Sequence, residues 1–267
     1  MQDFSPSDNK KGSTKLESSQ IPPAGGAAAS FALHLADTNL ILAQRNGEWC
    51  AHGPILEQDI AITNITLDLI GQARNFYQYA AELIGNNATE DSLAYFRKER
   101  EFKNLLIAEL PCGDWAQTIL RQFFLSVYHY GLYEQLQKSS DMQLAAIAEK
   151  SIKEVTYHIR WSSEWVIRLG DGTGESHQRM INALENLWAY TGEFFIPAHY
   201  EKDFADLDLI KENWFQKIKI VMEEATLTVP ENSFMQTGGK EGIHTEHLGF
   251  ILTDLQYLQR TYPGASW

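Results

Sequence analysis

The sequence predicts an all-α fold, a helical bundle with short connections and some additional helices. Apolar residues recur at helical spacing over long stretches, and sustained alternation of apolar and polar residues, which would indicate strands, is absent. Turn and capping residues separate these stretches, as in the run from Pro111 to Asp114 and in the glycine-rich run from Gly170 to Gly174. Because neither an internal repeat nor a coiled-coil heptad pattern is evident, we expect one bundle rather than a solenoid or a rod.

The chain divides into a polar N-terminal tail and a single helical domain. Residues 1–30 are rich in Ser, Gly, Pro, Ala and Lys and offer little apolar surface to offset the entropy of ordering, so they are predicted to be disordered. The domain is expected to span residues 31–267. Its first helix starts at Phe31 and ends near Asn46 and Gly47, and a second, strongly apolar helix over 57–85 is expected to be central.

The remaining helices follow from the same periodicity and from their stop signals. They are predicted over 91–109, 114–138, 141–169, 174–196, 207–227 and 244–261.

Composition excludes several classes of function. The 22 Lys and Arg against 35 Asp and Glu leave a net charge of −13, which disfavours nucleic acids and anionic membranes as partners. The two cysteines fit neither a disulfide framework nor a zinc site, so a reducing, cytoplasmic location is expected. No stretch has the apolar length of a membrane span or of a signal peptide.

A large helical bundle raises the hypothesis of a di-iron carboxylate site, which requires two Glu-x-x-His motifs on two helices. Among the eight histidines only His244 has a glutamate three residues before it, at Glu241. That motif lies in a glycine-rich stretch and has no second copy. The sequence therefore argues against a di-iron site in this chain.

A mononuclear metal site at His244, Glu246 and His247 is a weaker alternative, since two imidazoles and a carboxylate can bind zinc or copper. We favour the interpretation in which these residues cap the last helix and contact a neighbouring helix or subunit.

Two polar pairs and one charged run are interpreted as structural. Glu154 with His158, and Asp68 with Gln72, have the i, i+4 spacing of pairs within a helix. The run 97–103 alternates in charge, which favours a solvated helix face over a binding site for an anionic ligand.

Long stretches of the chain resemble the structural, C-type subunits of the bacterial phenylacetyl-CoA epoxidase, also called phenylacetate-CoA oxygenase. The matching stretches are 35–50 (LADTNLILAQRNGEWC), 68–76 (DLIGQARNF), 79–83 (YAAEL), 153–158 (KEVTYH), 168–173 (RLGDGT), 237–249 (TGGKEGIHTEHLG) and 255–260 (LQYLQR). The resemblance covers about Phe31 to Trp267 and leaves the tail outside.

The resemblance implies a ferritin-like bundle within a multicomponent monooxygenase. In that family a ferritin-like catalytic subunit holds two irons and works with accessory and reductase subunits, while its ferritin-like partner has lost the metal ligands. The former ligand positions implied for this chain are Asn39, Leu69, Gln72, Val155 and His158, and the position of a further former glutamate is not assigned. No cofactor is then expected in this subunit.

The sequence therefore predicts a non-catalytic subunit that binds and stabilises the di-iron catalytic subunit. The segment 237–260, with Lys240, His244, Glu246 and His247, is expected to serve assembly. Two alternatives remain open: an independent metal-dependent enzyme that uses His244, Glu246 and His247, and a homo-oligomer with no enzyme partner.

Overall fold

A computed structural model describes residues 25–231 and 234–265 of the chain. The first helix begins at Gly26, and Ala29 and Ser30 are fully buried. Helix α1 thus starts a few residues before the helix start predicted at residue 31, because small residues there already pack into the core. The predicted disorder of residues 1–24 lies outside the described residues.

Every regular element among the described residues is helical. The α-helices are α1 Gly26–Gly47, α2 Leu56–Ile84, α3 Glu90–Tyr95, α4 Leu106–Glu109, α5 Trp115–Leu136, α6 Met142–Gly170, α7 Gly174–Trp188, α8 Leu207–Glu224 and α9 Glu246–Thr261, with short 3₁₀ turns η1 Glu99–Glu101, η2 Gly192–Phe195 and η3 Gly239–Glu241.

Four long helices form the bundle as two antiparallel hairpins, α1 with α2 and α5 with α6. A Cβ at Gly25 would touch the Leu83 carbonyl, so the start of α1 lies beside the end of α2. Trp115 packs edge-on against Trp161, which places the start of α5 beside the end of α6. The predicted ferritin-like, all-α fold is confirmed, with α3, α4 and α7 to α9 as additional helices.

An aromatic cluster attaches α7, α8 and η2 to the outer side of α5. Trp214 is fully buried, and its indole N–H donates to the Phe124 carbonyl at 2.9 Å. Phe194 and Trp188 pack against the same indole. Helices α7 and α8 are amphipathic, and these contacts bury their apolar stripes.

The helix predicted over 91–109 is wrong, because side chains from distant elements take the backbone donors that would continue it. The Lys103 amide donates to Asp37 at 2.8 Å, the Leu105 amide to Thr38 at 3.2 Å and the Leu106 amide to Glu193 at 2.8 Å. The chain therefore forms α3, η1 and α4 with extended residues between them. Similarly, the helix predicted over 174–196 ends at Trp188 and is followed by η2.

No helix in the described parts of the chain is both long and apolar enough to span a membrane.

Candidate functional site: the bundle centre and the C-terminal clasp

A hydrogen-bond relay crosses the centre of the bundle and joins its four helices. The Asn39 amide of α1 donates to the Tyr133 hydroxyl of α5 at 3.1 Å, and that hydroxyl donates to Gln72 Oε1 of α2 at 3.1 Å. Gln72 Nε2 then donates to Glu154 Oε2 of α6 at 2.8 Å. Three of the four groups are neutral, so the relay fixes helix positions without concentrating charge.

A second polar link, between Asp68 and His158, lies beside this relay. His158 is almost fully buried, and its Nε2 donates to Asp68 Oδ2 at 3.0 Å. The partners predicted within each helix, Glu154 with His158 and Asp68 with Gln72, are therefore wrong: both links run between α2 and α6. Side chains one helical turn apart face the same neighbouring helix, and here that helix offers the better partners.

Apolar residues complete the centre. Leu69 on α2 and Val155 on α6 are buried. Burial raises the pKa of Glu154, and the hydrogen bond from Gln72 partly offsets that effect. Of the residues implied as former ligand positions, Asn39, Gln72 and His158 take part in the two polar links. The other two, Leu69 and Val155, are the buried apolar side chains. Within residues 25–231 and 234–265, no group of three or more His, Cys, Asp or Glu side chains could hold a metal ion.

The sequence analysis did not place Tyr133 or His129, which lie one turn apart on α5, at the bundle centre. Their rings stack with centroids 5.6 Å apart, and His129 Nε2 has no hydrogen-bond partner. Burial lowers the pKa of His129 to about 3, so the ring is neutral. The available signal was the i, i+4 spacing of two polar aromatic residues on an otherwise apolar helix.

Buried charge is concentrated elsewhere, in what we call the C-terminal clasp: residues 238–245 and the carboxylates of Glu109, Glu193 and Glu201 that hold them. Glu193 accepts from the amides of Gly238 and Gly239 at 2.9 and 2.7 Å and also from the Leu106 amide. A side chain at position 239 would overlap the Asn104 carbonyl, so only glycine allows this close approach.

His244 is held by two acceptors on opposite sides of its ring. Nδ1 lies 3.0 Å from Glu109 Oε2, and Nε2 lies 3.0 Å from the Phe102 carbonyl oxygen. Because neither a carboxylate nor a carbonyl can donate, both ring nitrogens carry protons and the ring is an imidazolium. Burial opposes this charge, but the hydrogen bond and negative charge of Glu109 raise the pKa of His244 overall.

Lys240 forms the third buried contact of the clasp. Its ammonium group lies 2.9 and 3.0 Å from the two Glu201 oxygens and also donates to the carbonyls of Phe194 and Ile196. Burial lowers the pKa of Lys240, and the charge of Glu201 partly offsets that effect. Lys240 and His244 thus act inside their own chain.

Of the four residues predicted to serve assembly, the other two are more accessible: Glu246 is exposed and His247 is half-buried. Thr245 caps α9 by accepting from the His247 amide at 3.3 Å. The cap is therefore Thr245 rather than His244, Glu246 or His247, the residues that were predicted to cap this helix. The role of Glu246 and His247 in assembly stays a prediction.

Arg97, the first residue of the charged run 97–103, was predicted to face solvent but is buried. The Arg97 guanidinium is buried against the Asp37 carboxylate and lies over the Phe102 ring at 4.2 Å. The Tyr77 hydroxyl donates to Asp37 at 2.6 Å. The prediction of a solvated face is wrong for Arg97, whereas Lys98, Glu99 and Arg100 are exposed.

Two comparisons with known proteins bear on this arrangement. The family described as "Phenylacetic acid catabolic protein" matches residues 16–267. The C-type subunit of the 1,2-phenylacetyl-CoA epoxidase of Escherichia coli (strain K12) is 48% identical over 244 residues, which cover 89% of this chain and 98% of that protein.

Proposed function

The chain belongs to the phenylacetic acid catabolic protein family, and from this membership we propose that it is the non-catalytic subunit of a multicomponent phenylacetyl-CoA epoxidase. In this role it binds and stabilises the di-iron catalytic subunit, within an assembly that includes accessory and reductase subunits. The similarity to the C-type subunit of the E. coli enzyme over nearly the whole of both chains supports the placement in that enzyme.

The chemistry of the bundle centre carries the proposal. A di-iron carboxylate site needs a carboxylate from each of two helices and a Glu-x-x-His pair from each of two others. At this centre Leu69 and Val155 are buried hydrocarbon, and Gln72 and Asn39 offer neutral amides. The carboxylates that remain, Asp68 and Glu154, are bonded to His158 and Gln72. This donor set does not fit two ferrous ions.

The same residues suit a scaffold. The relay from Asn39 to Glu154 ties four helices together through neutral donors, which hold their positions without a metal ion. Because buried polar groups that lose their partners are costly, the relay favours a single arrangement of the helices. A bundle held this way offers a rigid outer surface to a partner subunit.

The alternative of an independent metal enzyme at His244, Glu246 and His247 is not favoured by the geometry. Both nitrogens of His244 are already engaged, by Glu109 and by the Phe102 carbonyl. A metal ion would have to displace one of these contacts and compete with the imidazolium proton.

The proposal is tested by loading the purified full-length chain with ferrous iron under anaerobic conditions and measuring bound iron. We expect far less than one iron per chain. The chain is also co-expressed with the catalytic subunit from the same organism, and epoxidation of phenylacetyl-CoA is assayed with and without it. Two irons per chain, or turnover that is unaffected by its omission, would contradict the proposal.

A further inference from the structure

An exposed apolar stripe runs along α2 on the side away from the bundle core. We call it the α2 seam; its members, with the exposed fraction of each residue, are Leu56 (72%), Ile60 (52%), Leu67 (60%) and Ile70 (45%). Thr63, which is half-buried, occupies the step between Ile60 and Leu67, so the spacing along the stripe is four, three, four and three residues. That is the spacing of a helix face that packs along a second helix. The sequence analysis missed it because α2 also carries a buried apolar face.

Gly71 forms a gap beside the seam, one helical turn after Leu67. Glycine in the interior of a helix lowers its stability relative to alanine. A Cβ at this position would meet no atom of this chain within 4 Å. Internal packing therefore gives no reason for glycine here, whereas close approach of another helix does.

The charges of α2 indicate what kind of helix fits the seam. The helix carries four acidic residues and one base. Glu57 and Glu82 are exposed, whereas Asp59 and Asp68 are half-buried and already accept hydrogen bonds within the chain. The base, Arg74, is bonded to Glu90. The chain as a whole has a net charge of −13. A second copy would bring acidic residues against acidic residues, so charge complementarity favours a helix with basic flanks.

We propose that the α2 seam and Gly71 are the docking site for a helix of the catalytic subunit, with an apolar stripe of matching spacing and Lys or Arg beside it. This inference rests on the proposed function and names the surface through which the chain binds the catalytic subunit. Gly71 admits the backbone or a small side chain of that helix, and the exposed Glu57, beside Leu56 and Ile60, faces its basic residues.

The first test replaces Ile60 and Leu67 together by Arg in the full-length chain and measures affinity for the purified catalytic subunit. Desolvated charge at the centre of an interface, repelled by the basic flanks, should weaken binding by at least about thirtyfold. Ile220→Arg on α8 is the matched control, because Ile220 is 53% exposed and Ile60 is 52% exposed. The control should bind like the wild type.

The second test uses Gly71→Ala, which separates docking from folding by the direction of its two effects. In the chain alone the melting temperature should rise, because alanine favours the helix and its methyl group meets nothing. Affinity for the catalytic subunit should nevertheless fall, by at least about fivefold, since the methyl group occupies the gap. Gly174→Ala, at the start of α7, also has open space around its Cβ and should leave affinity unchanged.

The outcomes distinguish this inference from the proposed function. If the wild type binds the catalytic subunit and the Arg double variant binds equally well, the docking site is wrong and the proposed function stands. If the wild type itself does not bind, the proposed function fails. If sedimentation shows the wild type alone to be a dimer that the double variant dissociates, the occupant is a second copy and the proposal is overturned.

Discussion

The bundle centre and the C-terminal clasp are both buried and polar, but they use opposite kinds of interaction. The centre is joined by amides, a phenol and one partly buried carboxylate, in the relay from Asn39 to Glu154. The clasp contains the ammonium of Lys240 and the imidazolium of His244, each against a carboxylate. Buried charge is thus concentrated where irregular backbone is held in place, and it is sparse at the bundle centre.

This contrast teaches how polar groups are accommodated at two kinds of buried position. Neutral donors satisfy the polar groups at the centre at a lower desolvation cost than unpaired charges would carry. At the clasp, the glycine-rich backbone forms only the short 3₁₀ turn η3, and the Glu193 carboxylate accepts from the Gly238 and Gly239 amides. The two regions should therefore respond differently to the same substitutions.

The largest difference is expected for Glu201→Gln in the clasp. Loss of the carboxylate leaves the buried Lys240 ammonium without its counter-charge, which should lower the free energy of unfolding by about 3 to 5 kcal/mol. Urea denaturation measures this. The control is Glu223→Gln, whose carboxylate is 65% exposed and 3.8 Å from Lys219, with an expected change within about 0.5 kcal/mol. Equal effects at the two sites would contradict the role of the clasp.

A pH dependence of opposite sign in the two regions is expected next. In the unfolded chain His129 binds a proton below its ordinary pKa of 6.5, whereas burial holds its pKa at about 3 in the folded chain. The contribution of His129 to the free energy of unfolding is complete above pH 6.5. It decreases as the pH falls and is smaller by about 2 kcal/mol at pH 5. His129→Leu should make stability less dependent on pH between 6.5 and 5, as measured by urea denaturation.

His244 provides the opposite case, because Glu109 raises its folded-state pKa. Its stabilisation is present below pH 6.5 and is lost as the pH rises through the raised folded-state pKa. His244→Gln should make stability less dependent on pH above 6.5. Below pH 6.5 it should not reduce the pH dependence in the way that His129→Leu does. Identical pH profiles for the two variants would show that the two regions are not distinct.

A smaller effect is expected for His158→Ala at the bundle centre. The substitution removes the bond to Asp68 and leaves a small cavity, so stability should fall by about 1 to 2 kcal/mol. Turnover by the assembled enzyme should be unchanged at a temperature where the variant is folded. His52→Ala, at an exposed ring, is the control for stability. Lost turnover with unchanged stability would indicate a catalytic role for His158.

The smallest effect is expected for Glu154→Gln, the same chemical change as in the clasp. Glu154 is only half-buried, and burial already raises its pKa, so the amide should change stability by less than about 1 kcal/mol. Calorimetric unfolding near pH 7 measures this. A loss as large as that at Glu201 would show that the centre depends on charge after all.

The sequence was sufficient for the long helices because their signals are local. Asp114 and Asp141 accept from amides at the starts of α5 and α6, within one or two residues of the predicted boundaries. The break-up of residues 91–109 was not predictable in this way, since the donors of Lys103 and Leu105 are taken by Asp37 and Thr38, more than sixty residues earlier in the chain.

The same difference between local signals and partners distant in the chain applies to the site residues. Leu69 and Val155 were assigned to former ligand positions from the resemblance alone, and both side chains are buried. Whether Gln72 bonds within α2 or across to Glu154 depends on how the helices are rotated about their axes, which periodicity leaves open. The role of Glu109 was hidden for a related reason, because its partner His244 lies 135 residues further on.

The order in which partners become available matters while the protein is being synthesised. Glu193 leaves the ribosome 87 residues after Leu106, the amide it accepts from, and His244 emerges 135 residues after Glu109. Until then α4 can contact α1 but lacks its later contacts with α9, so part of its surface remains accessible to chaperones. Translation that stops before Gly238 leaves Glu109 without its imidazolium and Glu193 without two of its donors, so we expect such products to be degraded rapidly by cellular proteases.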